Sequence, residues 1–175
     1  PRSTYACSKL LGEWFAAEAP RHYVLRVESL FGARPLPGES RRGSVDRIVD
    51  GILAGEPVRV FADRTISPSR AGDVAAATRA LVERDAAHGL YHCVSGGTCT
   101  WFELAREAAR LLGVEPRLVP VTMAEARLRA ERPTYCALSN GKLAAAGIPM
   151  PRWQDALAAH LAARHGPPGC TPSAG

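Results

Sequence analysis

Between residues 22 and 121 short runs of β-favouring apolar residues alternate with longer segments whose apolar residues recur at helical spacing. Residues 22–27, 58–61, 89–94 and 118–121 read as strands, and residues 45–54, 70–83 and 101–112 read as helices. Strands that alternate with helices in this way predict an α/β fold with a parallel sheet. The helices carry start and stop signals. Ser44 is placed to cap the helix whose stripe is Val45, Ile48, Val49, Ile52 and Leu53, and Gly55 closes it. Thr100 with Glu103 forms a capping-box pattern ahead of Trp101, and Asp73 lies near the positive end of its helix. Residues 123–129, 140–146 and 152–164 read as further helical pieces, the first capped by Thr122. Residues 132–138 read as extended, residues 32–40 as an exposed Gly/Pro-rich loop, and 166 onward as a tail without order.

At 175 residues the chain is long enough for a sizeable core, and no apolar run is long enough to predict a membrane span. Its five cysteines show neither C-x-x-C nor zinc-ligand spacing, and the histidines show no metal-ligand spacing either. We therefore expect reduced thiols in a cytoplasmic protein, with no metal site. The net charge of +5 rests on 20 Arg against only Lys9 and Lys142. The arginines are spread along the chain and mixed with acids, which argues against nucleic acid as a partner. Single arginines stay candidates for a diphosphate, because a planar guanidinium meets phosphate oxygens two at a time.

Near the start, Tyr5-Ala6-Cys7-Ser8-Lys9-Leu10-Leu11-Gly12-Glu13 opens a helical pattern that continues through Trp14 and Phe15. Residues four apart share a helix face, so the Tyr5 hydroxyl and the Lys9 ammonium can converge on one point. An ammonium beside a phenol favours the phenolate and brings such a group toward the working range of a general acid. Y-x-x-x-K alone is a common spacing, and its neighbours decide its meaning.

Those neighbours fall in a familiar order. They are the strand block Leu25-Arg26-Val27-Glu28-Ser29-Leu30-Phe31-Gly32, then Asp63-Arg64-Thr65-Ile66-Ser67-Pro68-Ser69 with Asp73-Val74-Ala75. Gly89-Leu90-Tyr91-His92 with Gly96-Gly97 and Trp101, Arg132-Pro133 with Leu138 and Lys142-Leu143, and Trp153 complete the series. Together they resemble the extended, sugar-nucleotide branch of the short-chain dehydrogenase/reductase superfamily, with the dTDP-4-dehydrorhamnose reductases as the nearest group. The resemblance spans residues 1 to about 162.

The resemblance implies the C-terminal half of a doubly wound Rossmann-type parallel sheet with a smaller α/β substrate-binding lobe. Residues 1–31 would end the dinucleotide-binding domain, 32–165 would hold the lobe and returning Rossmann elements, and 166–175 the tail. No Gly-rich turn after an apolar strand occurs, so the chain reads as the C-terminal part of a longer enzyme. In such enzymes Tyr5 would be the proton donor. Lys9 would hold the nicotinamide ribose of NADP or NAD and tune the tyrosine. Arg132 would grip the diphosphate of a nucleotide-sugar substrate, against the alternative of a surface salt bridge. Ser29 stands at a substrate-contacting position where the rhamnose reductases carry tryptophan, which points to a wider pocket and another sugar preference.

Glu28 reads as a solvated loop residue, with a second acid as the other reading. Tyr91, Trp101, Trp153 and Asp73 are expected to be structural. The reading is an NAD(P)-dependent reductase of a nucleotide-linked 4-keto-sugar, compatible with a homodimer. A sugar-nucleotide epimerase or dehydratase shares the Tyr/Lys pair and stays open, as does a non-catalytic sugar-nucleotide-binding or regulatory subunit.

Overall fold

The computed structural model describes residues 3–32, 43–126, 130 and 132–165. The loop expected after Gly32, residues 127–129 of the helical piece after Thr122, and the expected tail lie outside the described residues.

The chain opens with helix α1 (Thr4–Ala17), strands β1 (Tyr23–Arg26) and β2 (Leu30–Phe31), and helix α2 (Ser44–Leu53). Strands β3 (Val58–Phe61), β4 (Thr65–Ile66) and β5 (Ser69–Arg70) lead into helix α3 (Ala71–Glu83). Strands β6 (Gly89–His92) and β7 (Cys99–Thr100) precede helix α4 (Trp101–Leu112), and β8 (Leu118–Val121), α5 (Gly141–Ala145) and α6 (Trp153–His165) follow. Three strand pairs are parallel: β1 with β6, β2 with β5 and β3 with β8. The short β4–β7 pair is antiparallel. Parallel neighbours need crossovers, and here each contains helix: α2 lies between β2 and β5 in the chain, α2 and α3 between β1 and β6, and α3 and α4 between β3 and β8.

Two hydrophobic cores result. The larger gathers Val45, Ile48, Val49 and Ile52 of α2, Leu104, Ala105 and Ala108 of α4, and Trp153, Leu157 and Leu161 of α6, around Val60 and Ile66. The smaller joins Ala77 and Leu81 of α3 to Tyr91, Cys93, Leu143 and Ile148, with Tyr23 and Leu25 of β1 packed against them. α2 buries the stripe that its spacing predicts, apart from Leu53. Each fully buried Val, Leu or Ile side chain contributes roughly 1.5–3 kcal/mol, so α2 is held by tertiary burial rather than by its caps.

Local chemistry departs from expectation at several places. Ser44 is the first helical residue and Gly43 the N-cap, with no side-chain cap bond. Asp73 lies in the first turn of α3 as expected, and both of its oxygens take Arg70, through Nε at 3.1 Å and a guanidinium NH₂ at 2.5 Å. The connection from residue 62 to α3 contains the two-residue strands β4 and β5, too short for any sequence period to reveal. The Thr100/Glu103 capping box forms as predicted. A similar reciprocal pair forms at Thr122 and Glu125, where the Thr122 N–H donates to the Glu125 carboxylate at 2.7 Å.

α1 is helical as its spacing predicts, but it buries no residue. Leu11, Trp14 and Phe15 are 47, 60 and 71 % exposed, so much of its apolar stripe stands open, while Ala6 and Leu10 are partly covered. The edge of β1 away from β6 is likewise unpaired among the described residues.

Candidate active site and arginine pocket

α1 starts cleanly because the Ser3 hydroxyl accepts the Ala6 N–H at 3.2 Å. That fixes the first turn, which carries Tyr5, and Lys9 follows one turn later. The Lys9 ammonium lies 5.5 Å from the centroid of the Tyr5 ring, so the two side chains share a face as the spacing requires. Tyr5 is 72 % exposed. Neither its hydroxyl nor the Lys9 ammonium makes a hydrogen bond among the described residues. Both are therefore free donors on an open surface.

What orients this helix is an ion pair that sequence reading did not single out. Arg26, at the end of β1, reaches Glu13 on α1 through two parallel bonds of 2.8 Å. The Arg26 hydrogen bonds hold the Glu13 carboxyl below its ordinary value, against the opposing effect of burial. Both residues lie within the quoted motif blocks, which was the available signal.

Beyond β1 the backbone turns sharply. Ser29 adopts φ +44°, the left-handed region that costs a non-glycine residue about 1–2 kcal/mol. The turn is held at three points. Ser69 N–H donates to the Ser29 carbonyl at 3.2 Å, the Ser29 hydroxyl donates to Glu28 Oε1 at 2.5 Å, and Ser67 N–H donates to Glu28 Oε2 at 2.7 Å. Glu28 is thus half-buried and fully engaged, not a solvated loop residue.

A cavity of about 370 Å³ opens between α2, β3 and the start of α4. Four arginines line it, Arg47, Arg59, Arg64 and Arg132, with Trp101 and Phe61 supplying apolar wall. The extended segment carrying Arg132 is stitched to β4: Thr65 N–H donates to the Thr134 carbonyl at 2.7 Å, and Cys136 N–H donates to the Thr65 carbonyl at 2.9 Å. The Ser67 hydroxyl then accepts Leu138 N–H at 3.1 Å. None of the four arginines forms an ion pair with a carboxylate among the described residues, though Arg59 lies near enough to Glu125 to help lower that carboxyl, and the buried Arg64 Nε has no hydrogen-bond partner there. Four clustered cations with no ion-pair partner among the described residues favour an anion.

Arg132 lines this cavity and forms no salt bridge among the described residues. Tyr5, Lys9 and Ser29 are not among the residues that line this cavity. Arg47, Arg59 and Arg64 went unmarked because only the fold joins α2, β3 and the turn after it; no spacing in the chain links them. Trp101, expected to be purely structural, is half-buried and contributes to the same wall. Among the described residues no group of three or more His, Cys, Asp or Glu could hold a metal ion.

The RmlD substrate binding domain family matches residues 1–165. A probable dTDP-4,6-dihydroxy-2-methyloxan-3-one 4-ketoreductase of Streptomyces antibioticus is 33% identical over 95% of this chain and 57% of its own length. A dTDP-4-dehydrorhamnose reductase of Streptomyces griseus is 31% identical over 90% of this chain and 52% of its own. The crystal structure of dTDP-4-dehydrorhamnose reductase from Bacillus anthracis in complex with NADP superposes with a TM-score of 0.80 at 26% identity, covering 92% of this chain and 56% of that one. The chain spans about half the length of the relatives it matches.

Proposed function

The chain belongs to the RmlD substrate binding domain family, and on that premise we propose that it is the substrate-binding part of an NAD(P)-dependent reductase of nucleotide-linked 4-keto-sugars. The observation that carries this reading is the cavity lined by four arginines that form no ion pair among the described residues, joined through one stitched segment to the turn that follows the strand supporting Tyr5 and Lys9. The arginines would take the diphosphate, with Arg132 and Arg64 as its principal clamps, and Trp101 and Phe61 would pack against the base.

Tyr5 and Lys9 fit the ribose end of a nicotinamide cofactor, since each presents an uncommitted donor on an open helix face. The cofactor, when bound, supplies hydride to the carbonyl carbon. The Tyr5 hydroxyl donates its proton to the oxygen that gains charge, and Lys9 holds the ribose hydroxyls and keeps a positive charge beside the phenol. The Glu13–Arg26 pair keeps α1 against β1 while this happens. The Gly-rich turn that would seat the cofactor pyrophosphate does not occur in these 175 residues. Residues 1–31 would therefore complete a dinucleotide-binding domain, and the rest would form the substrate lobe with its returning strands. The relatives' names favour a dTDP-sugar. Ser29, in place of a bulky ring, points to a sugar other than the rhamnose precursor. Among the described residues no helix is long and apolar enough to cross a membrane, and a cytoplasmic enzyme, able to form a homodimer, suits this reading.

The test is made on the full-length protein, as NAD(P)H oxidation with dTDP-4-keto-6-deoxy sugars. Tyr5→Phe should lower kcat by about a hundredfold or more with cofactor affinity kept, and Arg132→Ala should weaken dTDP binding roughly tenfold or more. Wild-type turnover without net NAD(P)H consumption would assign an epimerase or dehydratase instead. Full activity of Tyr5→Phe would remove Tyr5 from the chemistry.

A further inference from the structure

We propose that Glu28 is a positioning residue that fixes the sugar-facing turn and the arginine-bearing segment relative to one another, an inference that rests on the reductase reading above. The residue follows β1 by two positions, and its carboxylate is half-buried. No cation pairs with it among the described residues, yet both of its oxygens are used. One accepts the hydroxyl of Ser29, the other the backbone N–H of Ser67. A half-buried carboxylate without a cation is costly to keep unless its hydrogen bonds perform a task.

That task is visible in what the two bonds join. On one side is the left-handed turn at Ser29, whose φ of +44° a serine does not hold without restraint. On the other is the Ser67-Pro68-Ser69 bend, all three of whose residues are buried. From the bend the connections spread. The Ser67 hydroxyl accepts Leu138 N–H and so anchors the segment that begins with Arg132. The Ser69 hydroxyl accepts Ser95 N–H at 3.0 Å, just beyond β6, and donates to the Ser67 carbonyl at 2.9 Å. Glu28 also lies close enough to the buried Cys99 for its charge to help raise that thiol, after burial itself and Glu103. It therefore sits at the crossing of β1, the β4–β5 bend and the β7 strand. Moving it would shift the substrate pocket against Tyr5 without touching either the arginines or α1.

Glutamine can keep both bonds: its Oε1 accepts Ser67 N–H, and its amide N–H donates to the Ser29 oxygen. Alanine keeps neither. In the full-length protein Glu28→Ala should raise KM for the nucleotide sugar about tenfold or more and lower kcat, with the cofactor KM unchanged. Glu28→Gln should recover KM to within about threefold of wild type. Should the alanine variant not fold, Glu28→Asp, whose shorter side chain cannot span Ser29 and Ser67 together, should raise the same KM about threefold. A sugar KM at the wild-type value in Glu28→Ala or Glu28→Asp overturns the proposal. So does a glutamine variant as impaired as the alanine variant at an equal melting temperature, since the charge and not the placement would then matter. A wild-type protein inactive on every dTDP-4-keto-sugar overturns the reductase reading together with this inference, whereas an active wild type with an indifferent Glu28 overturns this inference alone.

Discussion

Glu13 and Arg26 face each other across the α1–β1 junction in a two-point ion pair, both arms at 2.8 Å. α1 buries no side chain of its own, so this pair has an outsized share in setting where Tyr5 and Lys9 stand. A hydrophobic contact could slide; a fork of two parallel N–H donors on one carboxylate fixes both distance and rotation.

The pair makes a prediction about acid. The Glu13 carboxyl is held below its ordinary value in the folded chain, chiefly through its Arg26 hydrogen bonds. Its stabilisation is therefore fully present above about pH 4.5 and is lost as pH falls through the lowered native value. Arg26 is 43% exposed, so screening keeps the contribution near ~0.5 kcal/mol. Melting curves of wild type and Glu13→Gln should differ by about 1–2 °C at neutral pH and converge in acid. A gap that widens in acid would contradict the assignment.

The cysteines should separate sharply by reactivity. Burial pushes the Cys99 thiol up to about 12, with the charges of Glu103 and Glu28 adding to it, and burial raises Cys93 as well. Cys7 is exposed on α1. Brief N-ethylmaleimide treatment at pH 8 followed by peptide mass mapping should find Cys7 labelled and Cys93 and Cys99 unmodified, because the thiolate is the nucleophile. Early labelling of Cys99 would mean that β7 opens readily.

The bare stripe of α1 should govern association of the 175-residue chain. Leu11, Trp14 and Phe15 present adjoining apolar surface, and such patches drive self-association when nothing covers them. The double change Trp14→Glu, Phe15→Glu should raise the monomer fraction in light scattering. It should alter stability by no more than about 0.5 kcal/mol, since neither ring packs on a core. A large drop in melting temperature would instead show that the rings pack in solution.

How much of this was readable in the chain depends on the range over which each feature is determined. The α2 stripe, the Thr100/Glu103 box and the pairing of Tyr5 with Lys9 are set by residues within one or two turns, and the sequence discloses them. Arg132 stood out because an arginine before proline has no helical surface to occupy. Arg47, Arg59 and Arg64 did not, since their convergence exists only once α2 and β3 pack together. Glu28 was misread for the same reason: its partner Ser67 lies 39 residues away, and nothing local distinguishes a tethered carboxylate from a solvated one. The exposure of α1 was also hidden, because spacing shows which face is apolar but not whether anything meets it.

The two cores are threaded through one another along the chain. β1 feeds the smaller, α2 the larger, α3 and β6 the smaller again, α4 the larger, Leu143 and Ile148 the smaller, and α6 the larger. No single cut can release either core intact. A truncation before residue 143 would strip Leu143 and Ile148 from one and Trp153, Leu157 and Leu161 from the other at once. The arginine cavity and the β1 framework of Tyr5 and Lys9 should thus melt as one cooperative unit, with a lesion in either core reporting at both.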